Sequence, residues 1–188
     1  IKALQERFPD LSLVARPLVT YADGRTSDQL WVRVPPQRLL AVAKFLRDDS
    51  RTKFEQLCDL TCVDYLNYPG AGGDRGTPAR AESGRYGGED RFGVIYSLLS
   101  LTLNHRLWLK VFVNDPNPEV SSVTSLWHGA EWPEREVYDM FGIRFAGHPD
   151  LRRILMPQNF KDYPLRKDYP LTGKGEREDF EVVTRETA

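Results

Sequence analysis

Residues 91–113 read RFGVIYSLLSLTLNHRLWLKVFV, and this stretch decides the fold. Phe92, Val94, Tyr96 and Leu98 alternate in its first half, and Leu107, Leu109, Val111 and Val113 in its second. Period-two alternation predicts strands with one face in a core. Trp108 and Phe112 fall on the opposite face of the second strand. Asn104-His105 supplies a tight connection, so strands over Arg91–Leu103 and Leu107–Val113 make a β-hairpin.

Working toward the N-terminus, Pro69 to Asp90 is rich in Gly and small residues and has no apolar periodicity. It is expected to be a flexible insertion (69–90) between strands. Its glycines lack the lysine and the strand–helix setting of a phosphate loop. Leu60 to Leu66 reads as a strand, and Lys53 to Leu57 as a helical turn. Leu39, Leu40, Val42, Ala43, Phe45 and Leu46 give an amphipathic helix, opened by Pro35-Pro36. Leu30 to Val34 alternates as a strand. Leu11 to Thr20 is β-like, with Pro17 assigning it to an edge. Ile1, Leu4 and Phe8 mark a first helix that Pro9 stops.

Toward the C-terminus, Asn114 to Pro118 is a turn, and Val120 to Trp127 starts either a strand or a helix. Residues 131–169 then read EWPEREVYDMFGIRFAGHPDLRRILMPQNFKDYPLRKDY. Pro133 at a first helical position, with Glu134 and Glu136, predicts a helix running to Gly142. Ile143 to Phe145 is a brief strand. From Gly147 the chain is rich in turn residues, and Leu171 to Ala188 is charged with few apolar side chains. The pattern is α+β: a mixed, mostly antiparallel sheet covered by helices, with an extended C-terminal tail. The domain is expected over 1–146 and a partner-docking tail over 147–188.

Composition sets bounds on function. The 188 residues are 40% hydrophobic and 28% charged, with Lys+Arg 26 against Asp+Glu 27. That balance argues against a general nucleic-acid binder. No apolar run is long enough for a membrane-spanning helix, and the start shows no signal-peptide pattern. Cys58 and Cys62 are four apart, would share a face if helical, and are expected to be buried, inert thiols in a reducing compartment. Two thiols do not complete a zinc or iron–sulfur site.

Catalytic motifs are lacking. His105, His128 and His148 stand in no metal-binding spacing, and there is no G-x-S-x-G elbow. Glu134 and Glu136 diverge around a helix, while Arg135 is placed to pair with Asp139 at i,i+4 in a structural ion-pair network. His148, before Pro149, reads as a turn or partner contact. Arg152-Arg153 and Arg166-Lys167 suit carboxylates on a partner better than phosphates, given the interleaved Pro, Tyr and Phe. No catalytic, cofactor or metal residues are assigned.

The motif E-R-E-V-Y-D-M-F-G (Glu134 to Gly142), then G-H-P-D-L-R-R-I-L (Gly147 to Leu155), then P-L-R-K-D-Y-P (Pro164 to Pro170) resembles a known family. That family is the 30 kDa subunit of respiratory complex I, the proton-pumping NADH:quinone oxidoreductase. LTCVDY (Leu60 to Tyr65), Arg91 to Leu101 and Val120 to Trp132 follow the same order, so the resemblance runs from about Phe45 to Gly173. The 69–90 insertion, Pro133 and Phe160 depart from the family pattern. The resemblance implies a non-catalytic structural subunit of the peripheral arm, packed against the 49 kDa-type subunit. It implies flavin and iron–sulfur clusters in partner subunits and no cofactor in this chain. The complex carries electrons from NADH to quinone, coupled to proton translocation. It would be peripheral on the cytoplasmic side of a bacterial inner membrane, or on the matrix side of the mitochondrial one. The alternative is the equivalent subunit of a membrane-bound hydrogenase or ferredoxin-using relative. The interface and structural positions implied are Glu134, Arg135, Glu136, Asp139, His148, Arg152, Arg153, Arg166, Lys167 and Asp168.

Overall fold

A computed structural model describes residues 2–11, 15–17, 24–25, 29–66 and 91–175. The expected 69–90 insertion and the end of the tail lie outside the described residues. The hairpin forms as its alternation requires: β4 (Phe92–Ser100) and β5 (His105–Val113) pair antiparallel, with Val94 opposite Val111. Asn104 turns the chain in the left-handed region, at φ 52. β3 (Gln56–Asp64) adds antiparallel on one side of β4. β2 (Leu30–Arg33) adds on the other side, parallel to β5, and β1 (Ala15–Pro17) forms the edge. The five-stranded order is therefore β1-β2-β5-β4-β3. Pro17 sits in the edge strand, where a missing backbone donor costs no central ladder bond.

One sheet face carries Val32, Leu60, Cys62, Phe92, Val94, Tyr96, Leu98, Leu109 and Val111, all buried. The helices α1 (Lys2–Arg7), α2 (Leu39–Asp48) and α3 (Glu131–Phe141) bury their apolar residues in the same core. In α2 these are Leu39, Val42, Ala43 and Leu46, at helical spacing. A second, two-stranded sheet pairs β6 (Glu119–Ser121) in parallel with β7 (Arg144–Ala146). It fixes the two chain segments that flank α3.

Three local expectations are corrected. Lys53 to Leu57 is not helical. Thr52 closes α2 by donating Oγ1 to Leu46 O at 2.9 Å, Lys53 adopts φ 40, and β3 already begins at Gln56. Cys58 and Cys62 therefore lie on a strand. A register shift between Leu57 and Asp59 breaks the alternation, leaving Cys58 exposed while Cys62 is buried. Finally, α3 starts at Glu131, led in by a 3-10 turn over His128–Ala130, so Pro133 is its third residue rather than its first.

Candidate functional site

From Gly147 to Gly175 the chain forms no helix or strand. Turns within it satisfy some of its backbone groups, as Phe160 N to Pro157 O and Tyr169 N to Arg166 O, and others must find partners outside the segment. Two buried carboxylates supply them.

Asp139, on the inner face of α3, is the first. Its Oδ2 accepts the backbone N–H groups of Ile154, Leu155 and Met156 at 3.0, 2.7 and 2.8 Å. Its Oδ1 accepts from Arg153 Nη1 at 2.6 Å. Burial alone pushes this carboxyl up. The N–H groups and Arg153 outweigh burial and hold it below the usual carboxylate range. Arg153 also donates Nη2 to Asp162 O at 3.1 Å and lies over the rings of Phe160 and Tyr163.

Asp64, at the end of β3, is the second. It accepts Lys167 N at 3.0 Å, Leu66 N at 2.9 Å and Arg91 Nη2 at 3.1 Å. Burial pushes it up, but Arg91 and these N–H groups bring it below the ordinary value. Arg91 bridges Asp64, Asp115 and Asp168, the last at 2.7 Å. Burial works against its charge, yet the bonds to Asp64 and Asp168 raise its pKa.

The C-terminal end of α3 completes the fastening. Its last carbonyls have no helical partner. Leu165 N donates to Met140 O at 3.1 Å, and Arg166 Nε to Phe141 O at 2.7 Å. Arg166 also pairs with Asp115 and sits between the rings of Phe92 and Tyr163. Gly142 ends the helix at φ 76, and a Cβ there would meet Tyr163 at 2.5 Å. Glycine is thus required twice, by the left-handed turn and by the ring against it.

Arg135 does not pair with Asp139, contrary to the i,i+4 expectation. It donates Nε to Arg152 O at 3.2 Å and lies over the Trp132 ring. Asp139 turns instead to the segment whose N–H groups need an acceptor. His148 accepts Asp150 N–H on Nδ1 at 3.0 Å, so its Nε2–H donates to Glu131 O at 3.0 Å. That hydrogen-bond network fixes the tautomer. Glu134 and Glu136 diverge. Glu136 is exposed, whereas Glu134 is fully buried.

Glu134 is not part of an ion-pair network. Its Oε1 accepts Val123 N–H at 2.7 Å, tying α3 to the turn after β6. Its Oε2 has no hydrogen-bond partner, and neither does the buried Tyr96 Oη. Burial, only partly offset by Ser122 and Val123, pushes its pKa up to about 7.

The remaining expected positions are peripheral. Arg152 is exposed and pairs locally with Asp150. Lys167 and Asp168 are exposed, held through the Lys167 backbone and the Asp168 carboxylate. Sequence reasoning missed Asp64, Arg91 and Asp115. Asp64 alone left a signal, as an acid that follows the apolar pair Cys62-Val63 toward the end of the expected strand. It also missed the large apolar side chains left exposed on α3 and the fastened segment: Trp132, Leu155, Leu165 and Leu171. Among the described residues no group of His, Cys, Asp and Glu is placed to hold a metal ion.

A family model described as the respiratory-chain NADH dehydrogenase 30 kDa subunit matches residues 32–175. The chain is 47% identical over 142 residues to the C-type subunit of the NADH-quinone oxidoreductase of Roseiflexus castenholzii, covering 76% of this chain and 70% of that relative. It is 41% identical over 146 residues to the mitochondrial NADH dehydrogenase [ubiquinone] iron-sulfur protein 3 of Candida albicans, covering 78% and 45%. Among solved structures, a trypsin-resistant fragment (1-134) of Nqo5 is similar at TM-score 0.56 and 30% identity, covering 80% of this chain and 98% of that one. A chain of the membrane-bound sulfane sulfur reductase, an archaeal respiratory membrane complex, shares the fold at TM-score 0.59 and 22% identity, covering 98% and 91%.

Proposed function

The chain belongs to the respiratory-chain NADH dehydrogenase 30 kDa subunit family, and from that membership we propose that it is a structural subunit of the peripheral arm of an NADH:quinone oxidoreductase. It supports electron transfer from NADH to quinone, coupled to proton translocation, without performing a chemical step. Flavin and iron–sulfur clusters belong to partner subunits, and none to this chain. Its association with the membrane is peripheral, through the complex. No helix among the described residues is long and apolar enough to cross a bilayer. We place it on the cytoplasmic face of a bacterial membrane, with the mitochondrial matrix face as the equivalent.

One observation carries the structural role. The charged groups of the motif do not converge on a reacting atom. Asp139, Arg153, Arg166 and Asp168 are engaged within the chain, fastening residues 147–175 to α3 and the sheet. What remains for a partner is the apolar set Trp132, Leu155, Leu165 and Leu171. Large exposed apolar side chains on a fixed segment suit a protein interface. We assign this surface to the 49 kDa-type subunit. The relatives at 42–47% identity bear NADH-quinone oxidoreductase names, which favours this assembly over a hydrogenase-type one.

The test is the double variant Leu155→Glu with Leu165→Glu. The chain is expected to keep its soluble yield and melting temperature but to be lost from the purified complex. Full retention in the complex, or an equal loss of folding, refutes the assignment.

A further inference from the structure

The side of the sheet away from the helices has its own composition. Register places Arg16 beside Trp31, Trp31 beside Trp108, and Arg33 beside Lys110. Lys110 is beside Ile95, Arg106 beside Leu99 and Trp108 beside Ser97, which in turn is beside Asp59. Alternation puts all of these on the face opposite the core. Ring contacts agree. Lys110 Nζ lies 4.5 Å from the Trp31 centroid, the Arg16 guanidinium 5.8 Å from it, and Arg33 lies 4.7 Å from Phe112.

Charge on this face is unbalanced. Among the described residues, register sets Arg16, Arg106 and Lys110 on this face against Asp59, on a chain whose net charge is −1. Among the described residues, Arg16, Arg106 and Lys110 have no carboxylate within ion-pair distance. Lys110 is half-buried, and desolvation lowers its pKa. An ammonium held on indole without a counter-ion gains when a carboxylate reaches it. Trp108 and Ile95 beside it are half-buried.

The geometry points to this face as a second docking surface, one that receives an acidic patch of a neighbouring protein. Carboxylates of the partner meet Arg16, Arg106 and Lys110, and its apolar groups cover Trp108 and Ile95. The inference rests on the subunit reading above but uses the side of the sheet away from α3. A nucleic acid is the less suited occupant. Among the described residues of this face, Trp31 and Phe112 are only 8% and 7% exposed and Trp108 is half-buried, so there is no run of open rings on which successive bases could stack.

The experiment uses the assembled complex, treated with a carbodiimide that couples amines to adjacent carboxylates and mapped by mass spectrometry. Lys110 is expected to be joined to an Asp or Glu of another chain. Lys110→Arg removes that link while the chain stays in the complex. The double reversal Arg16→Glu with Arg106→Glu should lower retention through a salt wash about tenfold, as a contact between exposed charges predicts. If Lys110 in the complex accepts a water-soluble acylating reagent as fully as in the free chain, the surface is not an interface. Protection of Lys110 without an acidic partner in the map, or binding of an oligonucleotide through these cations, also overturns the inference. Absence of the chain from the complex altogether would sink the subunit reading, and this surface with it.

Discussion

Replacing Glu134 by glutamine isolates one buried carboxyl. The amide keeps the shape of the side chain and an oxygen for the Val123 N–H, which Glu134 binds at 2.7 Å. It removes the charge that burial penalises. Raising the pKa from 4.5 in the unfolded chain to about 7 in the fold corresponds to about 3 kcal/mol. The sign follows from proton binding. Below the unfolded value both states hold the proton, and the group costs nothing. As pH rises toward 7 the unfolded chain releases its proton first, so the folded state loses stability. The full loss is reached above about pH 7. Urea unfolding of wild type and Glu134→Gln at about pH 5 and about pH 8 measures the difference. The variant should gain about 2 kcal/mol on the wild type across that interval, most of it below pH 7. A difference between the two proteins that stays constant with pH would show that Glu134 titrates normally, and would refute the buried, cation-free setting.

Other perturbations probe the fastening of the C-terminal segment. Asp139→Asn leaves Arg153 without its counter-charge and opposes an NH2 group to backbone donors, so a loss of about 3–5 kcal/mol is expected. Hydrogen exchange at residues 154–156 should rise at the same time, and unchanged protection there would contradict the contacts. Gly142→Ala forces a Cβ to 2.5 Å from Tyr163 at φ 76, costing at least about 1 kcal/mol. Limited proteolysis should then cut between residues 147 and 175 faster than in wild type. Cys58 should react with a thiol reagent in the folded protein, while Cys62, whose thiol burial pushes far up, should react only on unfolding.

Much of this architecture could be read from local pattern. The alternation from Phe92 to Val113 specified the hairpin, and the end of α3 at Gly142 followed from the left-handed turn that glycine accepts. Interactions remote in sequence were not legible. The parallel pairing of β2 with β5 joins Leu30 to Leu107, and no local signal announces it. Arg135 and Asp139 have the spacing of an ion pair, but the irregular segment competes for both. It offers three N–H groups to Asp139 and two carbonyls to Arg135. The break in β3 at Cys58 overrides the face its spacing from Cys62 implies. Asp64, Arg91, Asp115 and Asp168 meet across up to 104 residues, so nothing local linked Asp168, a motif position, to Asp64, Arg91 and Asp115.

The parallel β2–β5 pair has a consequence for biosynthesis. Once β2 leaves the ribosome, its partner strand has not been made. Roughly 80 residues separate Arg33 from Val113, about 4–16 s of elongation. During that interval Trp31 and Val32 lack their β5 neighbours Trp108 and Leu109, and the unfilled side of β2 is a strand edge open to other chains. That edge is therefore expected to be prone to mispairing while the chain is made, and slowing translation between residues 33 and 113 should lower the soluble yield more than slowing it later.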